Sequence, residues 1–203
     1  MGLFRRKAEN ASASDRWIVV GLGNPGERYA DNRHNAGYMV VEVLLGRVGA
    51  SLKSHRSGAL AAETRLEGER VVLARPVSYM NESGQVVRGL LRFYKEPPER
   101  LVLVHDELDI PFGEVRVKFG GGTAGHNGVS SVASHLGSRD FVRVRVGVSR
   151  PPGRMDPADY VLRDFSSSER KDLPSILETA ADAVERVVAS GVERAMNEVN
   201  TRD

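Results

Sequence analysis

The 203-residue sequence contains no cysteine. That excludes a disulfide framework, a thiol nucleophile and any cysteine-ligated zinc or iron–sulfur centre, and it suits a reducing compartment. Long apolar runs are missing as well: nothing approaches the roughly 20 residues needed to span a bilayer. The opening stretch MGLFRRKAENASASDR has neither the apolar segment of a secretory signal nor the Ser or Thr of a myristoylation site. The expectation is a cytoplasmic protein without a membrane partner. There is no H-E-x-x-H zinc motif and no G-x-S-x-G nucleophile elbow, and His34, His55, His105, His126 and His135 do not fall at metal-ligand spacing. No resident metal or cofactor is expected, with a carboxylate-only magnesium site at Asp106, Glu107 and Asp109 as the alternative.

Nor is there a large excess of one charge. The formal net charge is +2, and Arg5, Arg6 and Lys7 against Glu9 account for it. The distribution is more informative than the sum. Between Phe112 and Arg154 lie Arg116, Lys118, Arg139, Arg143, Arg145, Arg150 and Arg154, opposed only by Glu114 and Asp140, whereas the chain from Asp164 onward is acidic. Such asymmetry predicts one positive face able to hold a polyanion, against the plainer reading of an ordinary solvated mixture.

Residues 1–14 are small, polar and basic without periodicity, as expected of a flexible tail, and 15–203 form one domain. WIVVGL reads as a buried strand, and AGYMVVEVLLGRVGA as a helix with Tyr38, Val41, Leu44, Leu45 and Val48 on one side. ALAAETRLEGERVVLARP has the form of two strands about a polar turn, and NESGQVVRGLLRFYK that of a helix with Asn81 as its N-cap. LVLV, EVRVKF and FVRVRVGV are strands; the last predicts arginines on one side and valines on the other. A short helix over VSSVASHL and two striped helices near 168–189 and 191–199 complete the chain. The predicted fold class is therefore α/β: a single-domain sandwich with a mixed, mostly parallel twisted sheet and helices on both faces.

IVVGLGNPG carries Gly21, Gly23 and Gly26 at the G-x-G-x-x-G spacing of a dinucleotide-binding turn. In such a turn the helix opens at the glycines, so that its first amides face the pyrophosphate. Here the polar, aperiodic ERYADNRH follows instead, and the glycines are expected to let the backbone turn sharply as the strand ends. Asn24, between them, is left needing a reason.

Other polar residues also gather at element ends: His34 and Asn35 in RHNAGY, Asn81 in SYMNESG, His105, Asp106, Glu107 and Asp109 in VHDELD, His126 and Asn127 in GHNG. Taken singly, most read as caps and turn residues. Asp106 is harder to dismiss, because it directly follows a buried strand, where an unpaired carboxylate is costly. A histidine base, a buried carboxylate and several neutral amides suit attack by water on an ester: the carboxylate fixes the imidazole, the histidine takes the proton, and amides stabilise the oxyanion.

Together, GLGNPGERYADNRHNAGY, RPVSYMNESG, VHDELDIPFGEVRVKFGGG and GHNG, in this order over essentially residues 17–200, resemble the bacterial-type peptidyl-tRNA hydrolase family. The resemblance implies a metal-independent hydrolase that cleaves the ester between peptide and the 3′-terminal ribose of peptidyl-tRNA, recycling tRNA, and it leads us to expect a monomer. It implies His34 as the general base, Asp106 as the carboxylate stabilising its active form, and Asn24 as the residue favouring N-blocked peptidyl groups. It implies Asn81 and Asn127 as amides holding the peptide and ester region, and Tyr29 and Tyr79 as contacts to the tRNA end. Lys118, Arg143 and Arg145 are then expected to clamp phosphates of the acceptor stem. The competing reading is a non-catalytic RNA-binding relative; the intact His34, Asp106, Asn24, Asn81 and Asn127 argue against it.

Overall fold

Burial dictates the middle of the sheet. The first strand, β1 (Arg16–Gly21), is buried at every position, and so are all seven residues of β5 (Leu101–Glu107), which therefore require cover on both faces. The computed structural model describes residues 16–201; the expected tail, residues 1–14, lies outside them. In chain order the remaining elements are α1 (Ala36–Val48), β2 (Lys53–Ser54), β3 (Ala59–Leu66), β4 (Glu69–Pro76), α2 (Ser83–Tyr94), β6 (Val115–Phe119), α3 (Asn127–Leu136), β7 (Val142–Gly147), α4 (Pro157–Val161), α5 (Glu169–Ser190) and α6 (Val192–Asn200).

The seven strands form one sheet in the order β2-β3-β4-β1-β5-β7-β6. The central strands β4, β1, β5 and β7 are parallel, while β2, β3 and β6 pair antiparallel at the two sides, giving the expected mixed sheet. Strands β3 and β4 join through Glu67 and Gly68, both at positive φ (49° and 85°), as a two-residue hairpin whose twist matches its strands requires. On one face Val19, Val102 and Val144 pack with Val41 and Leu44 of α1 and Val184 of α5; on the other, Ile18, Val20 and Leu103 pack with Leu90 of α2 and Val132 of α3.

The glycines of the first turn differ from expectation in their reason. A Cβ on Gly21 would lie 2.1 Å from the Gly37 carbonyl oxygen, and one on Gly23 would lie 2.7 Å from the Tyr38 ring. Both let α1 lie directly on the end of β1, and only Gly26, at φ +104°, needs glycine for its backbone conformation. Asn81 is a second correction: it sits in a 3-10 turn, Met80–Glu82, and α2 begins at Ser83 with Glu82 in the cap position, so Asn81 caps no helix.

After β1 the chain crosses one face as α1, and after β4 it crosses the other as α2. The connections part beside β1, and a crevice opens beyond the carboxyl ends of β1 and β5, the position at which α/β sheets collect ligands.

Candidate active site

Four chain segments meet in that crevice. Asn24 arrives just beyond β1, His34 in a 3-10 turn (Arg33–Asn35) before α1, Asp106 near the end of β5, and His126 at the head of α3. With Asn81 and Asn127 they line a cavity of about 730 Å³, whose far wall is Asp156, Pro157, Ala158, Val161 and Leu162. That wall is tied to the turn bearing His34. The buried Arg33 donates to the carbonyls of Arg163 (3.2 Å) and Asp164 (2.8 Å), pairs with Glu169 (2.5 Å) and lies over the Tyr160 ring.

The carboxylate of Asp106, 2% exposed, takes His34 Nδ1 at 2.9 and 3.0 Å on its two oxygens and His126 Nε2 at 3.0 Å on Oδ1. Burial alone would push this carboxyl up; the two imidazoles aimed at it hold it well below the usual carboxylate range, and it stays ionised. An ionised carboxylate accepts, so the proton on His34 is at Nδ1. Its Nε2 keeps a lone pair, in a side chain that lines the cavity. Behind them His105 is fully buried, and burial pushes it well below the ordinary imidazole range; its Nδ1 donates to the Asp106 carbonyl oxygen at 2.7 Å. It is a neutral floor for the His126 ring, centroids 4.8 Å apart.

Asn24 is oriented without ambiguity. Its Oδ1 accepts the Met80 backbone N–H at 2.8 Å, and its backbone N–H and carbonyl exchange hydrogen bonds with the Asn35 amide at 2.8 and 3.0 Å. The group left for the cavity is therefore the Nδ2 donor. The Asn81 and Asn127 side chains have no hydrogen-bond partner among the described residues and are exposed on the cavity wall. Tyr79, at 52% exposure, stands beside Met80 and Asn81, and Tyr29 is half-buried with the Arg28 guanidinium over its ring.

The basic stretch is divided. Strand pairing sets Lys118 opposite Arg143 and Arg116 opposite Arg145. Arg143, expected at a phosphate, is only 2% exposed and gives its guanidinium to the carbonyls of Gly120 and Gly122, so it secures the glycine loop instead. The alternation of the strand puts the arginines on one side, and the folded-back glycine loop covers that side at Arg143. Arg116 pairs with Glu114, and Arg150 with Asp109. Lys118 and Arg145 remain half-buried with no ion pair among the described residues.

The three acids of the magnesium alternative do not form a cluster: Asp106 is taken by the histidines and Asp109 by Arg150. Among the described residues the group with metal-type donors in mutual reach is His34, Asp106 and His126, within 4.8 Å. Their near atoms are hydrogen-bonded to one another, and an ion would have to displace those contacts. His126 is the site residue that sequence reasoning passed over; its position just ahead of an apolar helical run was the available signal.

The peptidyl-tRNA hydrolase family model matches residues 18–203. The chain is 64% identical over 181 residues to the peptidyl-tRNA hydrolase of Frankia casuarinae, covering 89% of this chain and 92% of that one. With the enzyme of Mycolicibacterium smegmatis the identity is 56% over 184 residues, covering 90% and 96%. The crystal structure of peptidyl-tRNA hydrolase from Acinetobacter baumannii superposes with a TM-score of 0.86 at 37% identity, over 93% of this chain and 96% of that chain. With a family model covering nearly the whole chain and relatives this close, the chain belongs to the peptidyl-tRNA hydrolase family.

Proposed function

We propose that this chain hydrolyses the ester between a peptide and the 3′-terminal ribose of tRNA, with His34 as general base. The observation that carries the reading is the His34 Nδ1 to Asp106 contact at 2.9 Å, which leaves His34 Nε2 as a lone-pair nitrogen beside the cavity. Water at Nε2 attacks the acyl carbon while His34 takes its proton. The tetrahedral oxyanion collapses, the acyl–oxygen bond breaks, and the proton passes to the departing ribose oxygen. No covalent intermediate or metal enters these steps.

Selectivity follows from the orientation of Asn24. Its Nδ2 donor suits the carbonyl of an acylated amino group and opposes a free ammonium, which brings only donors. Asn81 and Asn127 have unengaged amides for the peptide and ester region, and Tyr79 and Tyr29 offer rings on which the tRNA end can stack. Lys118 and Arg145 are the cations we assign to acceptor-stem phosphates, whereas Arg143 acts through the loop it holds. Among the described residues no helix is long and apolar enough to cross a membrane. We further propose a monomer acting in the cytoplasm.

The test is hydrolysis of N-acetylaminoacyl-tRNA beside free aminoacyl-tRNA. Rapid release from the first and slow release from the second is expected. Binding of tRNA with cleavage of neither ester would replace this reading with that of a binding module.

A further inference from the structure

His126 does two things at once. Its Nδ1 accepts the backbone N–H groups of Gly128 (3.1 Å) and Val129 (3.3 Å), making it the N-cap of α3, a position usually held by Ser, Thr, Asp or Asn. Its Nε2 lies 3.0 Å from Asp106 Oδ1, and the side chain is 7% exposed. A nitrogen accepting two amide hydrogens carries no proton of its own, so the proton is on Nε2 and points at the carboxylate. Protonating Nδ1 would break both cap bonds and set a cation at the positive end of a ten-residue helix. Geometry thus fixes one tautomer and one charge state, and it removes His126 from consideration as a second base.

We propose that His126 is a positioning residue: locked by the α3 cap as a neutral Nε2–H donor, it shares Asp106 with His34 and keeps His34 in its base-competent, unprotonated form. The inference rests on the proposed role of His34. A buried carboxylate facing one imidazole favours the imidazolium, which cannot take a proton. A second N–H donor draws off part of that charge and also fixes the rotation of the carboxylate, so that both oxygens face His34 Nδ1. The other charged or titratable groups around the trio do not substitute for it. On β5, His105 is neutral beneath His126, and Glu107, which also lines the cavity, accepts the Asp109 backbone N–H at 3.4 Å. On β7, Arg143 is spent on the glycine loop, with Arg145 beyond it. Arg33, beside His34, is turned to Glu169, and Asp156 across the cavity caps α4 through Ala158 N–H at 2.7 Å.

His126→Asn separates the two functions, because a carboxamide oxygen caps a helix well while its shorter side chain does not reach Asp106. The variant is expected to melt near the wild-type temperature. Its kcat/KM on N-acetylaminoacyl-tRNA should fall about tenfold, mostly in kcat, and the acid limb of its pH–rate profile should move up by about one pH unit. His126→Ser, also a good cap, should behave alike and serves if the first variant folds poorly. Imidazole ¹⁵N NMR of the wild type should show His126 in the neutral form protonated at Nε2. A folded variant with slowed turnover but an unmoved acid limb, or a wild-type His126 protonated at Nδ1, overturns the proposal. Retention of turnover by His34→Ala would instead defeat the base assignment, while the NMR result would still report on His126.

Discussion

At the residue scale the account turns on which atom of each side chain is left free. Asn24 is informative because a backbone N–H claims its oxygen. Asn24→Asp keeps an oxygen for Met80 but replaces the donor with a charge that welcomes an ammonium. The preference for N-acetylaminoacyl-tRNA over aminoacyl-tRNA should drop by about tenfold or more, corresponding to one charged hydrogen bond; an unchanged ratio of kcat/KM values would remove Asn24 from selectivity. Asp106 carries a pH signature. Its folded-state carboxyl titrates below the unfolded one, so it stabilises the fold above about pH 4 and that contribution is lost as pH falls. The difference in urea stability between wild type and Asp106→Asn should be widest above about pH 5 and narrow on acidification. Much of this site was legible: a carboxylate at the end of a buried strand demands partners, and the motif resemblance supplied His34. His126 was not, since a histidine between glycines reads as loop and its capping role is rare. Asn81 misled for the converse reason, having good capping chemistry that the fold leaves unused.

At the element scale, the contact that seats the site is α1 on the end of β1. With a Cβ on Gly21 placed 2.1 Å from the Gly37 carbonyl oxygen and 2.8 Å from Val41 Cγ2, Gly21→Ala must push the helix away from the strand. A loss of about 3 kcal/mol is expected, read as a lower urea midpoint at unchanged slope. The 3-10 turn bearing His34 leads directly into α1, so activity should fall further than the remaining folded fraction accounts for. Sequence periodicity located this helix and strand well: α1 begins at Ala36, ten residues beyond Gly26, and not at the glycines. What spacing could not reveal is that two of the three glycines answer to α1, which folds back against them; close approach is a tertiary property.

At the scale of the whole molecule, the sheet order brings the ends of β1 and β5 together and leaves the basic strands β6 and β7 at one side, joined to the site by the glycine loop. Charge counting found that side but not its division of labour, because only folding shows that Arg143 is buried under the loop. Lys118→Ala and Arg145→Ala should each weaken tRNA binding across tRNA species and lower the salt slope of log K by about one. Arg143→Ala should leave that slope nearly intact and reduce kcat, since it frees the loop that leads to His126; a slope loss equal to that of Lys118→Ala would return Arg143 to the phosphate-binding set. The central claim, that water is activated at His34 Nε2, is tested most directly by turnover of saturating N-acetylaminoacyl-tRNA by His34→Ala. A loss of about 10²- to 10⁴-fold with tRNA affinity retained is predicted, and turnover close to wild type would contradict it.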